Sequence, residues 1–146
     1  MQTKLAFLFV ALVFIAGGVT RWWLAPEEVM SAEVQCELSQ GQCQFVADEA
    51  LISVSVSPSP IKVMIQHEIQ VTSDHGGFTP EALEVAGLNM EMGLTRVVFG
   101  SAGVQAGMAN LLLPICTQSY MDWQFLLKGR LNGQPKAYRW VLTTQR

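Results

Sequence analysis

Residues 51–57 read Leu-Ile-Ser-Val-Ser-Val-Ser, and Pro58-Ser59-Pro60 follow. Ile52, Val54 and Val56 fall on one side of an extended chain and the serines on the other. This period of two suits a strand with one buried face. Proline cannot donate to a ladder, so the pair at 58 and 60 ends the strand.

Similar patterns continue downstream. Residues 61–72 are β-rich, with Ile61, Val63 and Ile65 on one face and a parity change after His67 that calls for a bulge or bend. Ser73 to Gly77 form a turn. Short strands are expected at 82–88, 94–99 and 109–113. Residues 121–127 put Trp123, Phe125 and Leu127 on one face. Residues 136–144 do the same with Tyr138, Trp140 and Leu142, and Asn132-Gly133 between them marks a hairpin. Thr79-Pro80-Glu81 carries a helix-capping signal, but Gly87 arrives too soon for a long helix. About seven to nine short strands and no long amphipathic helix predict an all-β fold, an antiparallel β-sandwich of immunoglobulin-like or cupredoxin-like type.

Upstream, residues 5–19 read LAFLFVALVFIAGGV without a charge, preceded by Lys4 and followed by Arg21-Trp22-Trp23. A positive tail before an apolar run is an export signal. Carried through Leu24 the run approaches the roughly 20 residues of a spanning helix, with tryptophans at the interface they favour. No clear cleavage signal stands near residue 20. The expectation is one N-terminal transmembrane helix over residues 1–25 kept as an uncleaved anchor, with a cleaved signal as the alternative. The domain is then residues 26–146, outside the cytoplasm, joined by a short linker over about residues 25–33.

With 146 residues the chain suits one folded unit beyond that segment. Apolar residues make up 50% and charged ones 14%, which excludes a disordered chain. Nine basic residues stand against 12 acidic ones, and Lys4 and Arg21 are the only charges in 1–25. The remainder therefore holds 7 basic and 12 acidic residues, a net −5. No basic face is available for nucleic acid.

Catalytic signatures are absent: no G-x-S-x-G, no P-loop, no H-E-x-x-H. Ser73, Asp74 and His75 are adjacent in the chain, as turn residues are, whereas triad partners come from separate segments. The chain is not expected to be an enzyme. Cys36, Cys43 and Cys116 allow three single pairings, each leaving one thiol over. Cys36 and Cys43 bracket a turn with Gly41 and are the easiest to bridge in an oxidising compartment. A thiol–disulfide role for them is disfavoured, because the spacing is C-x₆-C and no helix N-terminus is in view. For Cys116 two readings stand, burial as a small hydrophobe and ligation.

Sulfur is the unusual feature. Gly87-Leu88-Asn89-Met90-Glu91-Met92-Gly93 places Met90 and Met92 on one side if extended, and Cys116 and Met121 bound a later turn. Thioether and thiolate are soft donors that prefer Cu(I). The proposed metal ligands are Met90, Met92, Cys116 and Met121. Against this, methionine pairs commonly fill irregular cores, which is the simpler reading of Met64. Met108, His67 and His75 are weaker candidates, and histidines on strands and turns are mostly solvated or hydrogen-bonded.

Asn89 to Gly93, the glycines up to Gly107, Leu113-Pro114-Ile115-Cys116 and Met121-Asp122-Trp123 together resemble the YtkA-like and FixH-like exported domains, over about residues 82–127. The resemblance implies an immunoglobulin-like domain on the outer face of the bacterial inner membrane, in the periplasm. It also implies a part in copper handling or in assembling a copper-containing respiratory oxidase, with a membrane-embedded protein as partner. The family pattern does not require Cys36, Cys43 or Cys116. The alternative is a metal-free immunoglobulin-like interaction or assembly module of a membrane complex, using the same loop as a contact surface through residues such as Leu88 or Tyr120.

Overall fold

The computed structural model describes residues 29–74, 77–101, 103, 106–115 and 117–145. The expected anchor over residues 1–25, Cys116 and His75 lie outside the described residues.

Nine strands form two sheets. They are β1 (Ser31–Glu33), β2 (Gln42–Ala47), β3 (Ala50–Ser57), β4 (Gln66–Ser73), β5 (Phe78–Gly87), β6 (Leu94–Val98), β7 (Met108–Leu112), β8 (Tyr120–Leu131) and β9 (Gln134–Gln145). One sheet runs β1-β9-β8-β5-β6, the other β2-β3-β4-β7. Every pairing is antiparallel except β1 with β9. The result is a β-sandwich. A 3₁₀ turn at Leu38–Gln40 leads into β2.

The core follows from the alternation. Ile52, Val54 and Val56 on β3 meet Ile69 and Val71 on β4. They face Leu83 and Val85 on β5 and Trp123, Phe125 and Leu127 on β8, all buried. Phe125 stacks on Trp140 with centroids 5.5 Å apart. Asn132 (φ 51°) and Gly133 (φ 82°) form the tight β8–β9 turn. The Trp123 indole donates to Thr144 Oγ1 across the β8–β9 pair at 2.9 Å, so the ring is buried with its one polar group satisfied.

Several local expectations are corrected. Residues 61–65 are not strand; β4 begins at Gln66. No bulge or bend follows His67: β4 pairs in unbroken register, with His67, Ile69 and Val71 on its buried face. Ahead of β4 lies a loop, in which Met64 takes φ 60° and donates its N–H to Leu113 O at 2.8 Å. Met64 is 61% exposed, not packed. The capping signal at Thr79-Pro80-Glu81 lies inside β5, where the register shifts between Pro80 and Ala82, so the proline sits at a bulge. Residues 31–33, taken as linker, add a strand to β9.

The strand directions define two poles. The loops at 38–41, 58–65, 88–93 and 113–119 gather at one, called here the loop pole. The Asp48-Glu49 and Asn132-Gly133 turns lie at the other, the hairpin pole, where Lys136 Nζ bonds Asp48 Oδ2 at 2.6 Å and links the two sheets. This hydrogen bond, with the Asp48 charge, raises the Lys136 pKa. Because β1 runs parallel to β9, residue 29 also lies toward the hairpin pole.

Candidate functional site

Both sulfur-bearing segments reach the loop pole. Met90 and Met92 sit on the loop from β5 to β6, half-buried against the core. Asn89 and Glu91 between them are exposed. Met121 is the second residue of β8, points inward and is 1% exposed. Ile115 and Thr117, which flank Cys116, are exposed on the neighbouring loop.

Asn89 joins the two segments. Its side-chain amide donates to Tyr120 O at 3.3 Å and accepts from Asp122 N–H at 3.1 Å. Next to it, Leu88 N–H donates to Asp122 O at 2.8 Å. The β5–β8 ladder ends at Gly87–Trp123, and the asparagine carries it further with side-chain atoms in place of backbone. Gly87 allows the close packing behind this clamp. A Cβ there would collide with Met121 Cε and with the Met90 carbonyl oxygen. The Met90 backbone and the Met121 thioether therefore crowd the same spot.

Sequence reasoning named the methionines and missed Asn89 and Gly87. Gly-Leu-Asn reads as loop composition, and nothing in it shows that Asn89 reaches a backbone 31 to 33 residues away.

His67 is fully buried, with both ring nitrogens engaged. Nδ1 lies 2.7 Å from Pro58 O, and Lys62 N–H lies 3.1 Å from Nε2. Nε2 also lies 3.0 Å from Lys62 O, and with a proton on Nδ1 the ring donates to Pro58 O while Nε2 accepts from Lys62 N–H. The ring thus holds the 58–62 loop. Among the described residues no group of three or more His, Cys, Asp or Glu side chains is placed to hold a metal, and no helix is long and apolar enough to cross a membrane.

Cys36 and Cys43 form a disulfide, Cα atoms 5.2 Å apart. It fastens the segment leaving β1 to the start of β2 across the Leu38–Gln40 turn and Gly41.

Large apolar side chains remain exposed at this pole: Met64, Ile65, Leu88, Leu112, Ile115 and Tyr120. They come from three loops and the ends of β7 and β8.

Comparison with known proteins gives no match: no family model fits the chain, and no curated protein and no solved structure matches it.

Proposed function

We propose that the chain is a membrane-anchored copper-handling protein of the bacterial periplasm. In this reading the sandwich is an immunoglobulin-like or cupredoxin-like domain behind an N-terminal transmembrane helix. It carries one Cu(I) on Met90, Met92, Cys116 and Met121. The observation that carries the proposal is the Asn89 clamp, which draws the Met-x-Met loop onto β8 beside Met121. The donor set fits a cuprous ion, since it is soft and half-buried at Met90 and Met92. Met121 lies deeper than Met90 and Met92, and a thiolate from Cys116 would make uptake pH-dependent.

The apolar residues around the loop favour a role in delivery. A carrier that hands its ion to a membrane-embedded partner needs a docking rim, and Met64, Ile65, Leu88, Ile115 and Tyr120 supply exposed apolar side chains for one. The pole lies far from residue 29. From Ala137, opposite Ser31, to Gln145 is about 26 Å of strand at ~3.3 Å per residue. The receiving protein, for which a respiratory copper oxidase or its assembly factor is the natural class, must therefore rise from the membrane to meet it.

The same rim supports a second reading, a metal-free assembly module. One titration separates them. The full chain in detergent, with its disulfide intact, is titrated anaerobically with Cu(I) against a competing chelator, beside a Met90→Leu/Met92→Leu variant. Leucine nearly conserves methionine's volume. One-to-one binding that the variant loses supports copper carriage. A folded protein that takes no ion from the chelator overturns it and leaves the assembly reading.

A further inference from the structure

The outer edge of β9 is only partly covered. β1 pairs with it from Ala137 to Arg139, and the last bond runs from Val34 N–H to Arg139 O at 2.9 Å. The chain then turns away to reach the disulfide with Cys43 in the other sheet. In a strand successive residues point their backbone groups to opposite sides. Arg139 faces β1, so Val141, Thr143 and Gln145 face the same side, and among the described residues no backbone group meets them there. Between this edge and the departing segment Val34–Glu37 lies a cleft of about 610 Å³, lined also by Trp140, Leu142 and Thr143.

A second observation concerns a residue of its lining. Trp140 lines the cleft and is 2% exposed, yet its indole Nε1–H has no hydrogen-bond partner among the described residues. Buried indoles normally find one. The equivalent group on Trp123 does.

We propose that this cleft receives an extended peptide segment of another protein, added to β9 as a further strand beyond β1. Edge strands bind this way: main-chain hydrogen bonds hold the segment, and alternate side chains read it. The segment would pair with Val141, Thr143 and Gln145. It would be neutral or basic, because the domain is net acidic and Glu37 is the charged residue of the cleft lining. A second copy of this chain is the poorer occupant. Antiparallel β9–β9 pairing about Thr143 would set the two residues 29 toward opposite ends of the pair. Two copies anchored in one membrane, an exclusion that rests on the proposed anchor, cannot adopt it.

The test uses copper-free full chain in detergent and a fluorescent peptide, Lys-Val-Thr-Val-Thr-Val-Lys. Two derivatives are N-methylated at alternate residues, one along each edge of the peptide. The expected result is saturable binding, with hydrogen exchange slowed at Val141, Thr143 and Gln145. One N-methylated peptide binds like the parent and the other at least tenfold more weakly. Thr143→Pro, which removes one outward N–H from an edge, lowers affinity at least tenfold. Met90→Leu/Met92→Leu binds the peptide unchanged, so a failed copper reading leaves this result standing. No binding at millimolar peptide, protection confined to another strand edge, or β9 protection that depends on protein concentration without peptide each overturns the proposal.

Discussion

Asn89 brackets Met121: its side-chain amide takes the backbone groups of Tyr120 and Asp122, the residues on either side. A buried thioether is thereby held by an exposed residue 32 positions earlier in the chain. Asn89→Ala leaves the Asp122 N–H and Tyr120 carbonyl to water and frees the 88–93 loop from β8. The expected loss is about 1–3 kcal/mol in urea unfolding, two hydrogen bonds at roughly 1 kcal/mol each with some relief from solvent. Asn89→Asp keeps the acceptor for Asp122 and loses the donor to Tyr120, so it should fall between wild type and alanine. Equal stability of all three proteins would remove the clamp.

Met121 gives a graded series. Leucine in its place nearly conserves volume and should cost less than ~1.5 kcal/mol. Alanine opens a cavity beneath Gly87 and should cost about 2–5 kcal/mol. Gly87→Ala attacks the same spot from the other side, since its Cβ meets Met121 Cε and the Met90 carbonyl. The carbonyl is backbone and cannot step aside as a flexible side chain does. Gly87→Ala should therefore destabilise by more than Met121→Leu. Chemical denaturation of the three variants checks the order, and a neutral Gly87→Ala would show that the loop is not seated on β8.

Thr144 stands to Trp123 as a single hydrogen-bond partner. Thr144→Val keeps the shape and removes the oxygen, stranding the indole N–H in a site that is 1% exposed. The cost should be about 1–3 kcal/mol. Thr143→Val, one residue away, removes an exposed bond to Asp122 Oδ1 and should change stability by less than ~0.5 kcal/mol. Thermal melts of the pair decide it. If Thr143→Val costs as much as Thr144→Val, the buried bond is not what matters.

The sandwich was legible in sequence because its strands are buried on one face. Ile52, Val54 and Val56, then Trp123, Phe125 and Leu127, repeat at a spacing only a strand uses. What escaped depends on contacts distant in the chain. β1 shows no alternation, since its three residues are all exposed and held only by β9. Ile61, Val63 and Ile65 alternate like a strand, but Pro60 before them and the left-handed Met64 among them shape a loop instead. At the sulfur loop, residue types marked Met90, Met92 and Met121. Composition cannot say that Met121 is buried while Met90 and Met92 are half-exposed. That division is set by where β8 begins relative to Asn89.

Tyr138 supplies a pH dependence with a definite sign. Its ring is buried between Phe45 and Phe78, and its hydroxyl has no partner among the described residues. Burial raises its pKa above the ordinary tyrosine value, the Asp48 carboxylate raises it further, and Lys136 opposes in part. The folded state thus holds this proton more tightly than the unfolded one. Its share of stability is fully present below the unfolded value of about 10. It is lost as pH rises from there through the folded value, because the unfolded chain ionises first. Tyr138→Phe has no proton to lose and no unpaired hydroxyl to bury. It should match or exceed wild type at pH 7, and its advantage should widen as pH rises above about 10. Melting both proteins from pH 7 to above that value isolates the contribution, since every other group is common to the two. A constant difference with pH would mean that Tyr138 ionises as readily in the folded protein as in the unfolded chain.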